Sequence, residues 1–356
     1  MADLDSTNAI ETLDPSGMRR HLSGIPAQCR RAWQRALDMK LPDSYSAVSQ
    51  IVVAGMGGSA IGGDLVAALA RLEGKSLQVH RGYAPLPPVD DTILVILSSY
   101  SGMTEETLSC MDSIIDSPSP KVIATGGGRL AEIASDRGIP MFPIEYSAPP
   151  RAVIGYSFFG LLGLLYRLSF MADCTAAVED ALALMESLVD RFKESQPTAS
   201  NPAKQLAQKL VGKLPVIYGA GFMNPVARRW KTQVNENSKS WAMFDTLPEL
   251  NHNTVVGYPN PTSVTQGSLV VLLSSPLLHP RILLRYRVTR EILEREGIAH
   301  QELQGEGEGP LAQMASLIVW GDYVSYYLAL LYCVDPTPVE TIDYLKDRLA
   351  RYGLPA

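Results

Sequence analysis

The chain writes one pattern twice: an apolar, β-branched run ends in a cluster of glycines or serines, and a helix follows. Residues 51–54 (IVVA) lead into GMGGSAIGG and a helix from Asp64. Residues 92–97 (TILVIL) end in SSYSGMTEET before a second helix, and 121–124 (KVIA) end in TGGG before a third from Leu130. In the second half, 214–218 (LPVIY) end in GAGF, and 268–273 (SLVVLL) end in Ser274 and Ser275, as TILVIL ends in Ser98 and Ser99. Gly297-Ile298-Ala299 stands where Gly138-Ile139-Pro140 stood, and the apolar segments 152–166 and 317–331 correspond as well. Strand-length runs alternating with helices predict parallel sheets joined by helical crossovers. The expected fold is therefore α/β, with two similar doubly wound parallel-sheet domains at 40–185 and 200–356. An N-terminal helical extension (1–39) precedes them, and the polar stretch SQPTASNPA joins them. At 356 residues the chain can bury two cores of ordinary size.

Composition narrows the function classes. A net charge of -6 gives no basic surface for a phosphate backbone, so nucleic acid is not an expected partner. The four cysteines form no CxxC or Cys/His metal spacing and read as reduced, intracellular thiols. The acidic, polar first residues do not read as a signal peptide. The apolar run at 152–166 is too short and glycine-rich to span a bilayer, and is expected as a buried core helix. The expected location is cytoplasmic, with no membrane partner.

Parallel sheets bind ligands at the carboxyl ends of their strands, where this chain places its Gly and Ser clusters. GMGGSA fits the loose dinucleotide pattern. The acidic ribose-binding residue expected after the second strand (76–79) is replaced by His80-Arg81, which disfavours NAD and leaves Arg81 for a 2′-phosphate. The competing reading is a tight turn with close helix–strand packing. Ser99, Ser101 and Thr104 offer three hydroxyls at a strand-to-helix turn, a cradle for a phosphate without any lysine. Simple helix capping accounts for one of those hydroxyls but not for three. Further on, Glu236 lies in a polar run and His252 follows sixteen residues later between two asparagines. Either they are a proton-transferring pair, or they are a solvated helix end followed by a loop.

GMGGSA, SYSGMTEET, PPR at 149–151, NENSK and ELNHN together resemble the bifunctional phosphoglucose/phosphomannose isomerases. These belong to the phosphoglucose isomerase superfamily and are built from two sugar isomerase (SIS) domains. The resemblance runs from about residue 50 to the C-terminus. It implies an aldose–ketose isomerase for glucose 6-phosphate and fructose 6-phosphate, with mannose 6-phosphate as a further substrate, acting through an enediolate. It implies Glu236 as the base, His252 as the ring opener reaching a neighbouring subunit, Arg151 beside the developing oxyanion, and Lys346 closing over the substrate. Gly57, Gly58, Ser59, Ser99, Ser101 and Thr104 are then the substrate-binding positions. A homodimer with a shared active site follows, and neither metal nor cofactor is expected. Two positions depart from the family pattern: Met103 replaces the usual Asn of the phosphate loop, and Ser238 the usual Ala. The rival expectation is a SIS protein that binds a sugar phosphate as a regulatory ligand. Such a sensor has no use for Glu236 with His252. Should Glu236 not be the base, Glu249 is the nearest alternative carboxylate.

Overall fold

The computed structural model describes residues 2–83 and 86–352. Three helices come first: α1 (Thr7–Leu13), α2 (Met18–Ser23) and α3 (Ile25–Leu37). The first sheet contains β1 (Gln50–Gly55), β2 (Ser76–His80), β3 (Ile93–Ser99), β4 (Lys121–Thr125) and β5 (Met141–Pro143). All neighbours are parallel, in the order β2-β1-β3-β4-β5. Between its strands run α4 (Gly57–Leu72), α5 (Glu105–Ile114) and α6 (Gly128–Arg137). A π-helical turn at Gly155–Gly160 then continues into α7 (Leu161–Arg167), followed by α8 (Thr175–Phe192) and α9 (Pro202–Leu210).

The second sheet repeats the parallel order, as β7-β6-β8-β9, with β6 (Leu214–Ala220), β7 (Met243–Leu247), β8 (Ser268–Ser274) and β9 (Ala299–Gln304). Its helices are α10 (Asn224–Ser238), α11 (Thr262–Gln266), α12 (Pro280–Arg295), α13 (Pro310–Leu331) and α14 (Glu340–Tyr352). The central strands β3 and β8 are buried along almost their whole length, which is why their sequences are continuous apolar runs rather than alternating ones.

In the first sheet the winding reverses between β1 and β3, which pair with Gly55 opposite Ser98. Ligands of such sheets bind at this switch point, where GMGGSA and SYSGMT end neighbouring strands. α4 starts at Gly57, seven residues before the expected Asp64, so the glycines form the first turn of the helix and not a loop ahead of it. The apolar segment at 317–331 is the second part of α13, in which every residue from Leu311 to Leu331 is buried. By length and composition α13 could cross a membrane, but it is wholly enclosed by protein.

α8 runs through the expected domain boundary at 185. Its apolar stripe (Val178, Leu182, Met185, Val189, Phe192) needs a partner, and Phe192 finds Trp320 and Tyr323 of α13 at ring-centroid distances of 4.6 and 6.0 Å. The helix thus packs onto the second unit before the polar linker begins. The expected end of that unit, residue 356, lies outside the described residues.

Candidate active site

The site starts from one missing side chain. A Cβ on Gly58 would lie 2.7 Å from the Pro150 carbonyl oxygen, so only glycine lets the Pro150–Ala152 turn rest on the first turn of α4. That contact delivers Arg151 to the wall of a cavity beside Gly57 and Gly58, where it is 3% exposed. Its Nε donates to Asn237 Oδ1 at 2.6 Å, and its Nη2 donates to the carbonyls of Pro336 (2.6 Å) and Thr337 (2.8 Å). Nη1 makes no hydrogen bond, though buried, and faces Glu236 Oε2 at 3.5 Å. Burial pulls the Arg151 guanidinium down from its usual range, against the raising effect of Glu236.

Glu236 comes from α10. That helix buries Val226, Trp230 and Val234 on one stripe. On another, Arg229, Thr232, Gln233 and Glu236, spaced i, i+3, i+4 and i+7, line a cavity of about 180 Å³ together with Gly57, Gly58, Arg81, Arg151 and Arg228. Glu236 keeps 27% of its side chain exposed. It pairs with Arg151 rather than with Lys239 or Ser240 as a solvated helix end would. A carboxylate beside a fixed guanidinium, in a small cavity, can move a proton while the cation holds the resulting oxyanion.

α10 ends on Lys239, a non-glycine residue in the left-handed region (φ +49°). The turn swings its Nζ back to donate to the carbonyls of Glu236 (3.0 Å), Asn237 (3.3 Å) and Pro336 (3.0 Å). Desolvation of the ammonium and the nearby Arg151 bring its pKa down to about 8. Ser238, the departure from the family's Ala, is buried and donates to the Ser325 carbonyl of α13 at 2.7 Å.

The hydroxyl loop lies alongside, at the ends of β1 and β3. Ser59 Oγ accepts from the Tyr100 backbone N–H at 3.3 Å and so ties the two loops together. Ser99 Oγ and Thr104 Oγ1 are hydrogen-bonded at 2.8 Å, while Ser101 Oγ accepts from Met103 N at 3.2 Å and is exposed. Thr104 occupies the N-cap position of α5, yet its hydroxyl does not cap the helix. The capping reading therefore fails at the residue best placed for it. Met103 is 59% exposed, and its sulfur accepts from Arg129 N at 3.3 Å.

Of the expected site residues, Gly57, Gly58, Arg151 and Glu236 line this cavity; Ser59, Ser99, Ser101 and Thr104 do not, nor do His252 and Lys346. His252 is exposed on the 3₁₀ turn Glu249–His252, and Lys346 is exposed on α14, a helix with no buried residue. Arg81 is paired through its fork with Asp64 (3.1 and 2.6 Å), so its guanidinium is engaged where a nucleotide 2′-phosphate would need it. Arg229 and Gln233 went unread in the sequence, and Asn237 and Lys239, though within NENSK, were given no role in the site. The available signal was a polar ridge at 229, 233 and 237 on a helix that also carries an apolar stripe.

Residues 199–349 match the family model described as the bacterial phospho-glucose isomerase C-terminal SIS domain. The chain is 38% identical over 328 residues to a bifunctional phosphoglucose/phosphomannose isomerase of Caldicellulosiruptor bescii, covering 92% of this chain and 97% of the relative. It is 35% identical over 307 residues to the enzyme of that name from Aquifex aeolicus, covering 85% and 91%. Among solved structures, a glucose-6-phosphate isomerase like protein from Thermus thermophilus shares the fold with a TM-score of 0.65 at 20% identity, covering 98% of this chain and 99% of that one. Identity at this level over nearly the full length of both chains is a family relationship: the chain belongs to the bifunctional phosphoglucose/phosphomannose isomerases, enzymes that isomerise sugar phosphates.

Proposed function

We propose that the protein interconverts glucose 6-phosphate and mannose 6-phosphate with fructose 6-phosphate through an enediolate. The observation that carries this reading is Glu236 Oε2 at 3.5 Å from an otherwise unbonded Arg151 Nη1, on the wall of a cavity beside Gly57 and Gly58. Ser59, Ser99, Ser101 and Thr104 take the phosphate, which leaves C1 and C2 at the Glu236 end. Glu236 removes the proton from C2 of the aldose, and the electron pair becomes the C1–C2 double bond with charge on O1 beside Arg151. The same carboxyl returns the proton to C1 while the O2 proton moves to O1, giving the ketose. The protein works as a homodimer in which His252 of the partner subunit opens the sugar ring and Lys346 on α14 closes over the substrate. The exposed position of His252 agrees with work done across a subunit interface.

The test is Glu236→Gln, which keeps size and removes basicity. Turnover falls by a factor of about a hundred to ten thousand, while sugar phosphate still binds. In deuterated water wild type places label at C2 of glucose 6-phosphate or C1 of fructose 6-phosphate, and the variant places essentially none. Near-normal turnover of Glu236→Gln removes the base from this position. Tight binding without turnover in wild type favours a sugar-phosphate sensor instead.

A further inference from the structure

Two core helices usually meet through apolar side chains, but α10 and α13 meet along a polar seam. Arg229, Gln233 and Asn237 recur every fourth residue on α10, and all three are buried. Opposite them on α13 are Asp322 and Ser325, also buried. Arg229 Nη2 donates to the two Asp322 oxygens at 2.9 and 2.8 Å, and Gln233 Nε2 donates to Asp322 Oδ1 at 2.7 Å. Asn237 Nδ2 donates to Ser325 Oγ at 3.0 Å. The seam grips Arg151 at both ends: Arg229 Nη2 also reaches the Arg151 carbonyl at 3.2 Å, and Asn237 Oδ1 accepts from Arg151 Nε at 2.6 Å.

As a source of stability this seam is a poor choice. A charge pair taken out of water loses hydration that mutual attraction scarcely restores, and apolar replacements are often equally or more stable. Burial pushes the Asp322 carboxyl up, against the lowering effects of Arg229 and Gln233. Arg229 Nε and Gln233 Oε1 stay buried without partners, and a half-satisfied network is worse than an apolar contact. Asp322 is also the sole charged residue of α13, in a helix whose other buried side chains are neutral.

We infer that the buried Arg229–Asp322 pair is a positioning device for Arg151. Asp322 fixes Arg229, Arg229 fixes the backbone of Arg151, and Nη1 is thereby kept facing Glu236. This inference rests on the proposed role of Arg151 beside the reacting carbons. Asp322 does not line the cavity, whereas Arg229 does, so a test has to separate position from substrate contact.

The decisive variant is the double replacement Arg229→Met, Asp322→Leu, which removes both charges at similar volume. The expected result is a melting temperature no lower than wild type, kcat with fructose 6-phosphate reduced roughly tenfold or more, and KM within about threefold. A folded double variant with wild-type kcat overturns the inference. So does a raised KM at unchanged kcat, which would make Arg229 a substrate contact. Should the double variant fail to fold, Asp322→Asn retains shape and an acceptor: lowered kcat at constant KM supports the device, and wild-type kcat overturns it. Glu236→Gln is assayed alongside. An inactive Glu236→Gln beside a fully active double variant rejects only the positioning role, whereas an active Glu236→Gln rejects the catalytic reading and this inference with it.

Discussion

Gly58→Ala adds one methyl group and aims it at the backbone that carries Arg151. The new Cβ would stand 2.7 Å from Pro150 O, 3.0 Å from Pro150 C and 3.3 Å from Arg151 N. A carbon and a carbonyl oxygen settle at about 3.3 Å or more, so the turn must retreat by roughly 0.6 Å. No flexible side chain can absorb the shift, because every atom met is main chain. The retreat stretches the 2.6 Å bonds from Arg151 to Asn237 and Pro336 towards the outer limit of an N–H···O bond, near 3.2 Å. Displacement of a catalytic group by about 1 Å lowers turnover by up to roughly a hundredfold, so kcat should fall between about fivefold and fiftyfold. Overpacking of this kind destabilises by about 1–3 kcal/mol, but alanine is about 1 kcal/mol better than glycine inside a helix. The net loss of stability is then at most about 2 kcal/mol, too small to empty the folded state at 25 °C. The assay is steady-state isomerisation of fructose 6-phosphate coupled to oxidation of glucose 6-phosphate, with a thermal melt of the same sample. A kcat within twofold of wild type would mean that the turn yields without moving Arg151, and the account of how Gly58 places that residue would be wrong.

Three further outcomes follow from the same geometry. Ser101→Ala should raise KM for fructose 6-phosphate roughly tenfold, the loss of one charge-assisted hydrogen bond; unchanged KM with a lowered melting temperature would leave that hydroxyl only its local bond to Met103 N. If His252 acts across the dimer, co-expressed Glu236→Gln and His252→Ala chains form mixed dimers with one intact site of two, restoring about a quarter of wild-type activity; no recovery places both residues in the same chain's site. Lys239 is protonated below about pH 8, and its ammonium bridges Glu236, Asn237 and Pro336. kcat/KM should therefore decline as pH rises past that value, and Lys239→Arg should move the limb to higher pH; a limb that stays put clears Lys239 of the effect.

The alternation of strand, small-residue turn and helix carried both sheets, because parallel strands buried on two faces need the continuous apolar runs that are visible in TILVIL and SLVVLL. The start of α4 was read too late because Gly57 and Gly58 look like turn residues, and only the packed Pro150 backbone shows why a helix begins with them. The expected boundary at 185 falls inside α8 for a different reason. An amphipathic helix such as α8 states that it needs a partner but not on which side of a linker that partner lies. Arg151 and Glu236 were singled out separately, yet their 3.5 Å approach depends on Asn237 and the 336–337 carbonyls, contacts remote in sequence. Polar residues on a helix read as solvated until the opposing helix is known. The sequence marks of the seam are the polar ridge at 229, 233 and 237 and Asp322, the sole charged residue in the run at 317–331.

The enclosure of α13 dictates an order of manufacture. The ribosome makes this helix after the surfaces that wrap it, on α2, α8, α9 and α10. At about 5–20 residues per second, the faces of α8 to α10 wait on the order of ten seconds for their cover, with apolar side chains open to other nascent chains. A message cut short between α10 and Leu331 yields a chain with the faces of α8 to α10 uncovered, prone to aggregate instead of forming a smaller working enzyme. The second half can close its core only once α13 has been made, so its folding waits on a segment synthesised after the faces it joins.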